Sequence, residues 1–243
     1  MTRVPDGTGL VLLPGMMCDA RLFDPQRSAL AHWPLMDADL SLDATIPAMA
    51  RRALAAAPWP RLALCGLSMG GIVALEMVRQ APDRVAGLAL LDTNHLPDDA
   101  ERRAMRKAQV ARVRAGELAQ VMARELKPFY VAERNRDDRA LHERFLDMAM
   151  GLGPQVFERQ AMALMAREGA GDVLASFTGP SLVLCGAEDV PCPPARHDAM
   201  HELLDGAGGT ALRVTVEGAG HITTLERPDA VCEALTDWLA RLA

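Results

Sequence analysis

A serine stands between glycines in the stretch Arg61–Glu76, RLALCGLSMGGIVALE, where a run of apolar residues gives way to a helical pattern. A hydroxyl at its free pKa is a poor nucleophile, and it needs a base to take its proton as it attacks. G-x-S-x-G at a strand-to-helix junction forms a sharp turn that lifts the serine Oγ above the sheet. Gly66 and Gly70 leave space there, because side chains would collide with the neighbouring strand and helix. Ser68 is therefore the candidate nucleophile. The competing reading is a turn serine that caps the helix starting near Gly70.

The base should be a histidine in a loop after a late strand, and His221 in VEGAGHITTLERPD meets that requirement. It follows the strand-like Arg213–Val216 and lies between glycines and a new helix. His32 and His142 fall in helical or boundary stretches. His197 and His201 are four apart on a predicted helix and could form a two-ligand metal face, but HDAMH lacks the glutamate of the zinc-hydrolase pattern, so they are expected to face solvent. Two acids end strands in suitable positions. Asp189, in LVLCGAEDVPCPP, is favoured to orient the imidazole, with Glu188 beside it as a fallback. Asp92, in LALLDTN, is expected to fix its own loop by accepting from nearby amides.

A tetrahedral intermediate also requires donors for its oxyanion, commonly two backbone amides. Met69, just after the serine, supplies one at a helix N-terminus, where amides lack intrahelical partners. The loop LLPGMMCD supplies the other through Met16, with Gly15 expected to take an unusual backbone angle. Methionines at Met16, Met17 and Met69 suit an adaptable apolar pocket, although methionine at helical spacing is more often plain core. Met17, His95, Met122 and Phe129 are the candidate pocket residues. Apart from Arg21, near the oxyanion loop, no arginine is placed beside a motif to meet a carboxylate or phosphate.

Apolar strand-like runs recur at Leu10–Leu13, Leu35–Leu40, Leu62–Cys65, Val85–Leu91, from Ser181, and along ALRVTVEG. Helical patterns at Ile46–Ala57, Gly70–Gln80, Pro194–Leu204 and from Pro228 alternate with them. This rhythm predicts a parallel sheet covered on both faces. It breaks between Asn94 and Phe177, where helical patterns at Asp98–Leu126, Arg139–Met150 and Pro154–Glu168 occur without a convincing strand. The chain thus reads as a core of residues 1–93 and 179–243, with residues 94–178 inserted as a helical lid; the alternative is a surface helical hairpin with no bearing on the site.

With 243 residues, half of them hydrophobic, the chain is long enough for one α/β domain plus an insertion. A formal charge of −6 and the absence of a basic arm argue against a nucleic-acid partner. The N-terminal apolar run is too short for a signal or membrane segment. The five cysteines form no C-x-x-C pair, and Cys65 and Cys185 read as buried thiols, which suits a cytoplasmic setting.

The order Ser68, Asp189, His221, with the elbow and the PG loop, resembles the α/β-hydrolase superfamily. LVLLPGMMCDARLFDPQ, GLSMGG, LVLCGAEDVPCPP and GAGHITTLERPD are similar to its small lid-bearing esterases, enol-lactonases and cofactor-free haloperoxidases. The resemblance implies an α/β-hydrolase fold, a serine triad, a helical cap and no cofactor. The usual His-Gly of the oxyanion loop is Pro14-Gly15 here. The short N-terminus leaves little room for the two opening antiparallel strands, so about six strands are expected. The implied activity is hydrolysis of a small to medium apolar carboxylic ester, thioester or lactone, with a small acyl molecule as partner. The same triad also serves C–C bond hydrolysis or perhydrolysis, and a silent ligand-binding protein can share the scaffold. Oligomeric state is left open.

Overall fold

The computed structural model describes residues 4–242, apart from the side chain of Lys127. Six strands form one sheet: β1 Thr8–Leu13, β2 Leu35–Asp37, β3 Arg61–Leu67, β4 Val85–Leu91, β5 Ser181–Gly186 and β6 Ala211–Val216. Their order is β2-β1-β3-β4-β5-β6, and every neighbouring pair is parallel. The sheet has the six strands expected, and no antiparallel pair precedes β1 among the described residues. β1 and β5 are buried along their whole length, as apolar strands covered on both faces should be.

Helices α1 (Ile46–Ala56) and α2 (Met69–Gln80) precede and follow β3. Thr45 caps α1 by accepting from the Ala48 amide, and Pro47 occupies its first turn, where a missing N–H costs nothing. Its buried residues Ile46, Met49, Ala50, Ala53 and Leu54 lie on one helical stripe.

The segment between β4 and β5 is helical, but its first pattern divides. Helix α3 (Ala100–Arg114) stops before Gly116, whose φ of +93° lies in the left-handed region that ends helices. The chain restarts at Leu118–Val121 and widens into a π-turn at Met122–Leu126. Helices α4 (Arg139–Leu152) and α5 (Pro154–Ala166) complete the insertion, separated by Gly153. After β5 come α6 (Pro194–Gly206) and, beyond β6, α7 (Pro228–Ala240). Trp238 of α7 is fully buried and donates from Nε1 to the Pro180 carbonyl at 3.0 Å.

The chain passes from β1 outward to β2 and then returns to the other side of β1 with β3. That reversal is where open α/β sheets form a crevice beyond the strand ends. Leu13 pairs with Gly66 in this register, so the loop after β1 runs beside the turn after β3. A Cβ on Gly70 would lie 1.9 Å from the Leu13 carbonyl oxygen, and one on Gly66 would lie 2.4 Å from the Gly70 carbonyl carbon. These contacts are to backbone and cannot yield. Gly70→Ala is expected to destabilise the protein by about 3 kcal/mol or to displace the turn; urea unfolding and proton NMR of the variant check this.

Candidate active site

Among the described residues, three that are not glycine have left-handed backbones: Met17 (φ 58°), Ser68 (φ 55°) and Asp92 (φ 46°). They lie just past the C-terminal ends of β1, β3 and β4, three adjacent strands. Such conformations are costly for residues with a Cβ, and they persist where surrounding contacts over-determine them. In the loop after β1 the positive φ falls on Met17 rather than on Gly15, where it was expected.

Ser68 precedes α2, and its side chain makes no capping bond, which removes the capping role for its hydroxyl. Its Oγ instead lies 2.9 Å from His221 Nε2. The turn is braced by Thr93, whose hydroxyl donates to the Ser68 carbonyl at 2.6 Å.

Asp189 and His221 follow β5 and β6, and both are buried. His221 Nδ1 stands 2.9 Å and 3.0 Å from the two Asp189 carboxylate oxygens. The Cys192 amide donates to Asp189 Oδ1 at 2.8 Å. Burial alone lowers the His221 pKa. The Asp189 charge and hydrogen bond, with the charge of Asp92, outweigh it and leave the imidazole above its ordinary value. Glu188 does not reach the histidine; it accepts from the Glu133 amide.

Asp92 is completely buried and serves as a tie between loops. Its carboxylate accepts from the amide of Gly186 at the end of β5, and from the amide and hydroxyl of Thr223, two residues beyond the histidine. Burial and the nearby Asp189 charge push its pKa well above the usual carboxylate range, against the pull of His221 and Thr223.

The loop carrying His221 is pinned from several sides. Its amide donates to the Tyr130 carbonyl at 2.8 Å, and the Tyr130 ring lies 5.0 Å from the imidazole. Glu226 accepts from Gly220, Ala132 and Asn135 together. Gln26 donates to the Thr224 carbonyl at 2.9 Å. On the opposite side, Gln160 of α5 accepts from the Met17 amide and donates to the Leu40 carbonyl, fixing the loop after β1. Gln160 has no signature in the sequence, since its partners lie more than a hundred residues away.

A small cavity of about 50 Å³ opens beside Ser68 and His221. Met16 and Met69 line it, and among the described residues neither amide has a hydrogen-bond partner. The other expected pocket residues lie elsewhere. Met17 is fully buried, with its amide committed to Gln160. Met122 is buried in the inserted helices. His95 lies against the turn at residues 169–171, where its carbonyl accepts from Ala170. Phe129 is half exposed on an outer cleft of about 510 Å³. The inner cavity is instead walled partly by Arg102, Arg106 and Arg167, contrary to the expectation of no arginine cluster. Arg21 is tied to Asp19 near the surface.

His197 also departs from expectation. It is fully buried rather than solvent-facing, and Nε2 accepts from the Thr93 amide at 3.0 Å. Burial lowers its pKa to about 4, so the ring is neutral and supports the turn beside Ser68. His201 Nε2 is engaged by the Ala211 carbonyl, and the two rings therefore share no metal face.

Cys65 and Cys185 are fully buried thiols, as expected, and burial raises the pKa of each. No helix among the described residues is long and apolar enough to cross a membrane.

The two carboxylates separate by function in a direct test. Asp189→Asn is expected to lower kcat by about 10³–10⁴-fold, because the imidazole loses the partner that sets its orientation and charge. Asp92→Asn should lower kcat by no more than about tenfold while costing about 1–3 kcal/mol in urea unfolding, as buried donors lose an acceptor. Ester turnover and denaturation of both variants give the ranking.

Comparison with known proteins agrees with this architecture. The family model of the alpha/beta hydrolase fold matches residues 40–228. A pimeloyl-[acyl-carrier protein] methyl ester esterase of Xanthomonas campestris pv. campestris is 30% identical, with 97% of this chain and 96% of the relative covered. Among solved structures, a thermophilic esterase from Thermogutta terrifontis, with malate bound, superposes with a TM-score of 0.87 at 28% identity, covering 97% of this chain and 90% of that one. The enol-lactonase from Burkholderia xenovorans LB400 shares the fold with a TM-score of 0.83 at 21% identity, covering 98% and 92% of the two chains. The chain belongs to the alpha/beta hydrolase fold family and is an enzyme of that family.

Proposed function

We propose that the protein is a serine carboxylic-ester hydrolase in which Ser68 is the nucleophile, His221 the base and Asp189 the acid that orients it. The observation that carries this reading is the hydrogen-bonded line from Ser68 Oγ through both imidazole nitrogens to a buried carboxylate, each link about 3 Å. In the first step Ser68 Oγ attacks the ester carbonyl carbon while its proton passes to His221 Nε2. Asp189 stabilises the imidazolium that results. The amides of Met16 and Met69 are the donors to the oxyanion, a role supported by their lack of other partners.

Collapse of the tetrahedral intermediate breaks the C–O bond to the alcohol, which leaves with the proton from His221. Water then attacks the acyl-enzyme with His221 again as base, and the acid is released with Ser68 restored. No cofactor enters any step. Met16, Met69, Ile72 and Leu164 give the cavity apolar surface for a small acyl group. The Xanthomonas relative, named for a methyl ester, supports an oxygen ester over a thioester or lactone. Residues 94–178 are read as a lid, since Arg102, Arg106, Tyr130, Leu164 and Arg167 from this segment meet the core around the cavity.

Ser68→Ala is expected to reduce turnover by about four to six orders of magnitude. A fluorophosphonate should label Ser68 in the native protein, seen by peptide mass spectrometry; an unlabelled serine would refute the nucleophile assignment. Only neutral imidazole accepts the serine proton, so kcat/KM should fall as pH drops through the His221 pKa. That midpoint should lie above the ordinary value of 6.5. In Asp189→Asn the acid limb should move to lower pH, since the negative charge favouring imidazolium is gone.

A further inference from the structure

Arginine is charged at every pH at which the protein folds, so guanidinium groups beside a reacting carbonyl need an anion or abundant water. Arg102, Arg106 and Arg167 all line the cavity that holds Ser68 and His221. Asp98, itself buried, is shared by two of them: Arg106 Nε lies 2.7 Å from one of its oxygens and Arg167 Nη1 lies 2.8 Å from the other. Arg102 has no carboxylate partner among the described residues, and its one side-chain bond runs to the Pro191 carbonyl at 2.7 Å. Asp98 thus serves Arg106 and Arg167, and Arg102 is left without an ion-pair partner beside a cavity of about 50 Å³.

The position of Arg102 is informative. Arg102 and Arg106, with Tyr130 and Pro191, border both the inner cavity and the outer cleft. Arg106 Nη1 also lies 3.6 Å from Met16 Sδ, so its guanidinium stands next to the residue whose amide is read as an oxyanion donor. An acyl group held at that amide passes the guanidiniums within a few bonds. The carboxylates of the outer cleft do not neutralise them: Asp99 caps α3, Glu125 pairs with Arg112, and Glu101 is exposed.

We propose that the substrate is an acyl ester carrying a second carboxylate on a short acyl chain, and that Arg102, backed by Arg106, is the residue that binds it. This rests on the ester-hydrolase reading and names the substrate class for the same site. A carboxylate matches the planar, two-pronged donor geometry of a guanidinium, and its charge would balance the uncompensated Arg102. The small cavity favours a short acyl chain over a long one.

The test compares 4-nitrophenyl hydrogen glutarate with 4-nitrophenyl valerate, two esters of similar acyl length that differ in charge. The native enzyme should favour the charged ester by tenfold or more in kcat/KM. In Arg102→Met that ratio should fall by tenfold or more, and Arg102→Lys should retain part of it. Because the readout is a ratio between two esters, partial misfolding of a variant cancels. Equal kcat/KM for both esters in the native enzyme, or an unchanged ratio in Arg102→Met, overturns the proposal while leaving the hydrolase reading intact. If neither ester is cleaved and the fluorophosphonate leaves Ser68 unmodified, both readings fall together.

Discussion

An imidazole that must face a hydroxyl with one nitrogen and a carboxylate with the other tolerates little freedom in its ring plane or backbone. His221 meets this condition on a loop, the kind of element that fixes a side chain least well. The structure compensates with hydrogen bonds to the neighbours of the ring. Tyr130 holds its backbone amide, Glu226 the residue before it, and Asp92 and Gln26 the two threonines just after Ile222. The sheet sets the distances: β3 leads to Ser68, β5 to Asp189 and β6 to His221.

The strain in this arrangement lies at the strand ends. Met17, Ser68 and Asp92 each bear a left-handed backbone, and each is secured by polar contacts that are wholly or partly buried. Met17 donates to Gln160, Ser68 is braced through Thr93, and Asp92 receives three donors. Thr93 is in turn held by the neutral ring of His197. Polar networks of this kind hold a single geometry when every member is satisfied. The glycines at Gly66 and Gly70 perform the complementary task, allowing the turn after β3 to lie directly on backbone atoms of β1 and α2.

Much of this was readable before any coordinates. Six strands, the elbow and the proximity of Ser68, Asp189 and His221 follow from local signals: apolar runs, glycine spacing, and polar residues at strand ends. What escaped was set by contacts between distant parts of the chain. Arg102 and Arg106 lie on a densely charged helix that looks solvent-facing in one dimension, yet the fold turns part of that face toward the serine. His197 carries no mark of burial in HDAMH, because its partner Thr93 is more than a hundred positions away. The left-handed angle in the first loop falls on Met17, whose amide donates to Gln160, whereas Gly15 takes only the ordinary region. Phe129 and Met122 show that apolar character alone does not tell a pocket wall from core or rim.

The bond between the His221 amide and the Tyr130 carbonyl has a mechanical implication, together with the grip of Glu226 on Ala132 and Asn135. Residues 130–135 act as a post planted in the same ground as His221. Any swing of the helices between β4 and β5 wide enough to uproot that post would pull the imidazole out of line with the hydroxyl. On the reading of Ser68 and His221 as nucleophile and base, entry by a bulky molecule and readiness to react are thereby set against each other, unless the flanking helical stretches yield while the post stands.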